Sequence, residues 1–171
     1  GQTIYGAQDD PMVQTLAINR VGSIVAIGSP GRASSVVRVY QLESLPHNGT
    51  GHDEAQSPPA LWRPLGQPIR PTNAVPITEF GTSLALSANG QTLAVGSQQS
   101  VQVYRYSNTS VVWVQRGQTL QGRNETRFGA SVSMSSDGRI LAVGSPLDCV
   151  TNRPTPCTTG LVQMYQWNET V

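Results

Sequence analysis

The pattern of apolar and polar positions along this chain is that of short β-strands. Apolar and polar residues alternate in residues 37–40 (VRVY), 101–104 (VQVY) and 162–165 (VQMY). A period of two with β-branched and aromatic side chains is typical of strands, and no comparable stretch shows the period of a helix. The sequence therefore predicts an all-β protein.

These segments belong to a repeated unit. Residues 80–97 read FGTSLALSANGQTLAVGS, and residues 128–145 read FGASVSMSSDGRILAVGS, a shift of 48 positions. A weaker copy, MVQTLAINRVGSIVAIGSP, occupies residues 12–30. Self-similarity at such a spacing indicates a repeat architecture.

Each repeat predicts four antiparallel strands. Asn-Gly at 89–90 and Asp-Gly at 137–138 separate the first two strands, and these dipeptides accept the positive φ of a tight hairpin turn. The alternating segment forms the third strand. A fourth follows in the middle copy at 111–115, closing with residues 117–120. Four short strands per repeat are the signature of β-propeller blades. A single sandwich is the alternative, although it would not require near-identical copies.

The repeats divide the chain into about three blades. The predicted units are the end of a preceding blade at 1–6, a blade at 7–70 with an inserted loop at 45–60, a complete blade at 80–122, and a blade at 128–171 that lacks its fourth strand. Closed propellers usually contain four to eight blades, and open sheet edges invite pairing with other chains. We therefore expect this chain to be part of a larger propeller. The alternative is that two or more copies close a ring together.

Two short motifs resemble those of a known family. Phe-Gly opens strand one at 80–81 and 128–129, and Ile/Val-Gly-Ser-Pro closes strand two at 27–30 and 143–146. They resemble the FG-GAP repeats of integrin α-subunit propellers, and the resemblance covers essentially the whole chain. It implies a propeller of the seven-bladed type. It also implies a secreted or cell-surface protein with a role in adhesion, assembly or protein–protein interaction.

The hairpin loops lack the acidic run with which calcium-binding members of that family hold the ion. The loops at 87–90 and 135–138 read SANG and SSDG, and Asp137 supplies their one carboxylate. Calcium takes six to eight oxygen ligands. A plain turn is therefore favoured, and no calcium site or other cofactor is predicted.

The composition narrows the classes of partner. Of the 171 residues, 12% are charged, the formal net charge is +1, and all 11 basic residues are arginine. Such a chain has no broad basic field for nucleic acid, and without lysine it has neither Schiff-base chemistry nor a P-loop. No apolar run reaches the roughly 18 residues of a membrane span. With 37% hydrophobic residues and a mean hydropathy of −0.23, disorder is also disfavoured.

Sequons and cysteines indicate an extracellular or cell-surface location. Four asparagines stand in Asn-x-Ser/Thr sequons at predicted loops or strand ends, where a glycan fits: Asn48, Asn108, Asn124 and Asn168. Cys149 and Cys157 flank a proline-containing segment between strands two and three of the last copy, and a disulfide there would restrain it. The alternatives are coincidental sequons in a Ser/Thr-rich chain and two free thiols.

No catalytic constellation stands out. His47 and His52 lie beside Asp53 and Glu54 in the inserted loop, where they could bind a transition metal weakly, but a solvated loop is favoured. No nucleophile elbow, P-loop or His-Glu-x-x-His motif occurs. We therefore predict that the chain is not an enzyme. An enzyme domain completed by further blades is the least favoured alternative.

Arginines are expected on one face of the blades. In a propeller, the connections from strand two to strand three and from strand four to the next blade share a face, and such loops often carry binding residues. The arginines predicted there are Arg32, Arg70, Arg123, Arg127 and Arg153. Their guanidinium groups could bind carboxylate or sulfate groups bidentately, or could simply be solvated. The face thus supports two hypotheses, a protein partner or lectin-like glycan binding. The sequons at 48, 108 and 168 are expected at the opposite face or outer edge.

Overall fold

The computed structural model describes residues 2–5, 13–31, 34–43, 60–71, 79–123, 126–148 and 159–167. Within these ranges the chain forms twelve β-strands and no helix, which confirms the all-β prediction. These ranges contain no helix that is long and apolar enough to cross a membrane.

The strands form three consecutive antiparallel sheets, which we call blades one, two and three. Blade one has the order β1 (Thr15–Ile18), β2 (Ile24–Ser29), β3 (Val36–Glu43), β4 (Leu61–Pro64). Blade two has the order β5 (Ser83–Leu86), β6 (Thr92–Gly96), β7 (Ser100–Ser107), β8 (Val112–Gln115), and β9 (Leu120–Gln121) also pairs with β7. Blade three has the order β10 (Ser131–Met134), β11 (Ile140–Ser145), β12 (Leu161–Gln166).

The blades share one register. Strands two and three pair through an equivalent Gly–Val pair in each blade: Gly28 with Val37, Gly96 with Val101, and Gly144 with Val162. The connection between strands three and four spans residues 44–60 in blade one but only 108–111 in blade two. Trp62 and Trp113 nevertheless occupy equivalent places in the fourth strand. The pairing is therefore independent of the length of this connection.

A glycine with positive φ closes the hairpin between strands one and two. The three glycines have φ values of 73°, 72° and 72°: Gly22, Gly90 and Gly138. In blade two, Oδ1 of Asn89 accepts the Ser87 hydroxyl at 2.7 Å and the Gln91 N–H at 3.0 Å. The loop between β5 and β6 has five residues, more than the two of the tightest Asn-Gly hairpins. Strands one and two pair directly, as predicted, and only the glycine takes the left-handed conformation.

The hydrophobic core lies between the blades. The first cluster joins blades one and two: Ile24, Ala26, Val37, Val39, Ile69, Phe80, Leu93, Val95, Tyr104 and Trp113. The second joins blades two and three: Ala94, Val101, Val103, Phe128, Leu141 and Val143. Because alternate residues of a strand point to opposite faces, blade two uses one face of β6 and β7 for each neighbour.

A Phe-Gly pair forms the joint between consecutive blades. Phe80 and Phe128 are buried, and each ring meets a tyrosine of its own blade edge-to-face: Tyr104 at 6.4 Å and Tyr165 at 6.2 Å between centroids. Burial raises the pKa of both tyrosines. The phenylalanines therefore fill the space between two sheets and tie the first strand of one blade to the blade before it.

The glycine after each phenylalanine lies directly against the preceding blade. Gly81 and Gly129 have φ values of 92° and 95°, and a Cβ on Gly129 would lie 2.7 Å from the carbonyl oxygen of Ser100. In both joints a hydroxyl of the preceding blade donates to the glycine carbonyl: Thr15 to Gly81 at 2.5 Å, and Ser83 to Gly129 at 2.7 Å. The left-handed backbone favours glycine at both positions, and at Gly129 the lack of space requires it as well.

Candidate recognition surface

Two sets of connections meet at one end of the blades, which we call the connection face. The described residues of this face are 30–31, 34–35, 70–71, 79, 97–99, 122–123, 126–127, 146–148 and 159–160. The Gly122 N–H donates to the Gln99 carbonyl at 2.8 Å, and the Leu147 N–H donates to the Thr126 carbonyl at 3.2 Å. The connections inside blades two and three are thus both hydrogen-bonded to the connection that joins these two blades.

Three of the predicted arginines lie among the described residues of this face. Arg70, Arg123 and Arg127 are all exposed to solvent. Arg32 and Arg153 lie outside the described residues. The strand directions therefore bring three guanidinium groups to one end of blades one to three, as parts of two successive blade-to-blade connections.

Arg123 has an acidic neighbour on the connection face. Its Nη1 atom is 3.9 Å from Oδ1 of Asp148, and the two side chains are 79% and 8% exposed. The Asp148 N–H donates to the Ser145 carbonyl at 3.2 Å, which fixes the carboxylate next to β11. A pair with so exposed a partner is screened by water and contributes at most about 1 kcal/mol. The pair therefore contributes little to the stability of the fold. Its main effect is to place both signs of charge on this surface.

Arg127 is held by the joint between blades two and three. It precedes Phe128 and has a φ of 55°, and Glu79 precedes Phe80 with a φ of 66°. Each carbonyl accepts the N–H three residues later, at 3.0 Å and 3.1 Å. Left-handed backbone is uncommon for such residues, and here it turns the chain into the buried phenylalanine. Arg127 and Glu79 thus occupy equivalent positions in the two joints, one with a positive and one with a negative side chain, and a hydrogen bond fixes the backbone of each.

Asn108 is the one sequon asparagine among the described residues. It lies in the β7–β8 connection, at the end of blade two opposite the connection face, and it is exposed. The Val111 N–H donates to the Ser107 carbonyl at 2.7 Å and closes the turn. The other predicted site residues lie outside the described ranges: Asn48, Asn124, Asn168, Cys149, Cys157, His47 and His52.

The one carboxylate in the hairpin turns is used inside its own turn. Oδ1 of Asp137 accepts the Ser135 hydroxyl at 2.6 Å and the Arg139 N–H at 3.0 Å. These hydrogen bonds hold the pKa of the Asp137 carboxyl below its usual range. In the parts of the chain that the structure describes, no three His, Cys, Asp or Glu side chains are grouped as metal ligands would be.

The sequence interpretation missed a glutamine contact that links fourth strands. The Gln67 amide donates to the Trp113 carbonyl and accepts the Trp113 N–H, both at 2.9 Å. Gln2 makes the same two contacts with Trp62, at 3.4 Å and 2.7 Å. The signal in the sequence is a Gly-Gln-x-Ile/Leu motif that occurs three times, at residues 1–4, 66–69 and 117–120.

Comparison with solved structures identifies the fold. The chain is similar to the β-propeller domain of Cps50 (Swd1) from Myceliophteria thermophila, with 14% identity and a TM-score of 0.52, over 77% of this chain and 36% of that one. It also matches hydrazine synthase of Kuenenia stuttgartiensis, with 11% identity and a TM-score of 0.46, over 93% of this chain and 46% of that one. No family model and no curated protein sequence matches. The first similarity confirms the predicted β-propeller fold, and it bears on the fold alone.

Proposed function

We propose that this chain is a non-enzymatic extracellular glycoprotein module for adhesion, assembly or protein–protein interaction, built on an FG-GAP-like β-propeller. The observation that carries the proposal is the separation of two features at opposite ends of the blades. Exposed Arg70, Arg123 and Arg127 lie on the connection face, whereas Asn108 is exposed at the other end of blade two. A glycan on Asn108 would shield that end and leave the connection face open to a partner.

The connection face has the physical properties of a protein-binding surface. Its loops are joined by backbone hydrogen bonds, so little conformational freedom is lost when a partner docks. Arginine is enriched in interfaces because its planar fork of donors binds carboxylates bidentately. Asp148 adds negative charge beside Arg123, and Glu79 adds a second carboxylate to the same face. A surface with both signs of charge favours a partner with a complementary pattern over a uniform polyanion.

Glycosylation is tested by secreting the chain from a eukaryotic host and mapping its peptides by mass spectrometry. Asn108 is expected to carry a glycan that an N-glycosidase removes, and the Asn108→Gln variant should lose that signal alone. Because the asparagine lies at an exposed turn, the substitution should leave the unfolding temperature unchanged. A secreted chain with unmodified Asn108 would contradict the glycoprotein part of the proposal.

Adhesion is tested by counting cells that attach to a surface coated with the secreted chain. Arg127→Glu should reduce attachment severalfold, because it reverses the charge at a fixed position of the connection face. Arg105→Glu is the matched control, since Arg105 is equally an exposed arginine but lies toward the opposite end of β7. Equal attachment to both variants, or none to the unchanged chain, would count against adhesion through this face.

A lectin-like module is the second candidate. The side chain of Arg123 is 79% exposed, and such guanidinium groups bind the sulfate and carboxylate groups of anionic glycans. A glycan array separates the two functions. Binding to sulfated or sialylated glycans that the Arg127→Glu variant loses would favour the lectin, and uniform non-binding would eliminate it.

A further inference from the structure

Blade three exposes a face whose equivalents in blades one and two are buried. The strand register aligns three positions, given in the order blade one, two and three. The first is Val37 at 0%, Val101 at 0% and Val162 at 66% exposed; the second is Val39 at 2%, Val103 at 1% and Met164 at 65%; the third is Ile24 at 8%, Thr92 at 7% and Ile140 at 41%. The same three positions are therefore buried in blades one and two and exposed in blade three.

The Phe-Gly strand of the next blade covers the first two of these positions where they are buried. The contacts are the same in both joints: Phe80 packs in one cluster with Val37 and Val39, and Phe128 packs in the other with Val101 and Val103. The following glycines lie on the same valines, since a Cβ on Gly81 would be 3.0 Å from Val37 Cγ2 and one on Gly129 would be 3.1 Å from Val101 Cγ2. The exposed face of blade three therefore repeats a surface whose occupant is known.

A cleft of about 500 Å³ opens at the point where such a Phe-Gly pair would enter. Ser131 lines this cleft and is the equivalent of Thr15 and Ser83, whose hydroxyls donate to the glycine carbonyl of the next blade. Ser131 is exposed. A donor thus stands at the expected place for an incoming glycine carbonyl.

The cleft also holds a buried polar atom without a partner. Oγ of Ser145 has no hydrogen-bond partner among the described residues, although Ser145 is 1% exposed. In blade two the equivalent Ser97 hydroxyl lies 2.8 Å from that of Ser100, but Leu161 takes the place of Ser100 in blade three. A buried hydroxyl left unpaired is costly, so an incoming backbone group that bonded Ser145 would be stabilised there.

We propose that this face of blade three is a docking site for the first strand of a further blade that begins with Phe-Gly. The occupant places its phenylalanine over Val162 and Met164, and its glycine carbonyl accepts the Ser131 hydroxyl. A small residue and then Ser or Thr follow, as in the two internal joints. The inference goes beyond the function proposed above and does not depend on it.

Blade one of a second copy does not fit the site. By strand register, Val13 stands where Gly81 and Gly129 stand in the later blades, and its backbone is not left-handed. A Cβ at that place in the joint between blades two and three would lie 2.7 Å and 2.8 Å from two carbonyl oxygens. Real Cβ atoms do not approach so closely, so the occupant carries glycine at this position.

The test uses the full chain and a fluorescent peptide with the sequence of residues 127–145, which contains Phe128 and Gly129 and spans β10 and β11. Fluorescence anisotropy should show saturable binding, and the amides of β12 should become protected from hydrogen exchange. A matched peptide with Gly129→Val should bind at least tenfold more weakly, because its side chain would meet the carbonyl oxygens that line the joint.

Among the variants of the protein, Gly144→Ala separates docking from folding most specifically. Methyl groups on Gly28 and Gly96 would overlap the carbonyl oxygens of Gly81 and Gly129 in the next blade, whereas one on Gly144 would meet Ser131 of its own blade. The variant should therefore fold and yet bind the peptide at least tenfold more weakly. Met164→Glu should do the same, and Val114→Glu, at a valine 52% exposed on β8, should not.

Peptide binding that survives Gly144→Ala, or equal binding of the Gly129→Val peptide, would overturn the proposal. So would an absence of saturable binding up to about 1 mM peptide, the range of the weakest specific contacts. Sedimentation of the chain alone adds a further outcome. Self-association that Gly144→Ala abolishes would assign the face to a second copy and refute the Phe-Gly occupant.

Discussion

Gly96 shows how a single methyl group decides whether two blades dock. A Cβ there would overlap the carbonyl oxygen of Gly129 and the Ser83 hydroxyl, because the two backbones approach closely. Gly144 occupies the same position in blade three, where a Cβ meets only Ser131 of its own sheet. The two glycines therefore separate the effect of a methyl group in a strand from its effect in a joint.

Gly96→Ala is expected to lower the free energy of unfolding by about 1–3 kcal/mol, the usual cost of forcing extra volume into a packed contact. Gly144→Ala should stay within about 1 kcal/mol of the unchanged chain, because alanine fits ordinary strand backbone. Urea unfolding followed by tryptophan fluorescence measures both. Equal losses would show that strand conformation, and not the joint, requires glycine at this position.

Asp137 links the stability of blade three to pH. Hydrogen bonds from Ser135 and Arg139 hold the pKa of its carboxyl below the usual range, so folding favours the ionised form. This stabilisation is present above the unfolded-state pKa and is lost as the pH falls through the lower folded-state pKa. The chain should therefore lose more stability on acidification than the Asp137→Asn variant, which keeps an acceptor oxygen as Asn89 does in blade two.

Denaturant unfolding at a series of pH values from about 2 to 7 measures that difference, since the ordinary aspartate pKa lies inside this range. Free energies of unfolding that fall in parallel for the chain and for Asp137→Asn would contradict the assignment. Asn89→Asp supplies the reciprocal test, because it should introduce a second acid-sensitive turn in blade two.

Residues that recur in the sequence could be predicted, and residues defined by a neighbouring sheet could not. The hairpin glycines and the Phe-Gly pairs stand out because they repeat at fixed positions. The ion pair of Arg123 with Asp148 does not repeat, since it depends on how two different connections approach each other. For the same reason the orphaned Ser145 hydroxyl became evident only from the packing around it.

At the scale of the strand, the fourth strand carries a break that the apolar pattern does not reveal. Blade two pairs β7 first with β8 and then with β9, and Gly117 between them has a φ of 73°. Blade one repeats the arrangement with Gly66 at a φ of 76° and an isolated bridge between Val37 and Ile69. Apolar residues on both sides of the break lie next to the third strand of their blade. The apolar pattern of the sequence therefore predicts one continuous fourth strand.

The break is held by Gln67, whose side chain satisfies both backbone groups of Trp113. Gln67→Ala should cost about 1–3 kcal/mol of stability, because it leaves those partly buried groups unpaired. Gln118 occupies the same place in the next repeat, but the described residues of blade three contain no fourth strand for its amide to contact, so Gln118→Ala should stay within about 0.5 kcal/mol. Thermal unfolding of both variants measures the difference. Equal effects would show that the contact of Gln67 with the Trp113 backbone does not stabilise the fold.

At the scale of the whole molecule, stability is shared between neighbouring blades. The two core clusters join blade one to blade two and blade two to blade three. Arrays in which each unit contacts its neighbours open locally from the weakest junction. Damage to one joint should therefore be felt mainly in the two blades that it connects.

Phe128→Ala tests this arrangement. Removing the ring should cost about 3–5 kcal/mol, as large cavities in a core do. Hydrogen exchange measured by mass spectrometry should accelerate in blades two and three while β1 and β2 keep their protection. Phe80→Ala should instead accelerate exchange in blades one and two. The same acceleration in all three blades for both variants would refute junction-limited opening.

The repeats made the propeller fold predictable, because near-identical units can bury their faces only against one another. The strand directions likewise placed Arg70, Arg123 and Arg127 at one end. The identity of a partner could not be predicted in the same way. Recognition depends on the connections, and these are the segments in which the three repeats differ most in length and sequence.

The unequal connections between strands three and four also bear on how the chain can be cut and rejoined. Residues 44–60 and 108–111 lead to the same register, because that register is set inside the strands by pairs such as Leu42 with Trp62. The pairing of β3 with β4 therefore does not depend on the length of this connection. A protease cut within residues 44–60 should leave two fragments that reassemble on mixing, and new termini or an inserted domain should be accepted at the same place.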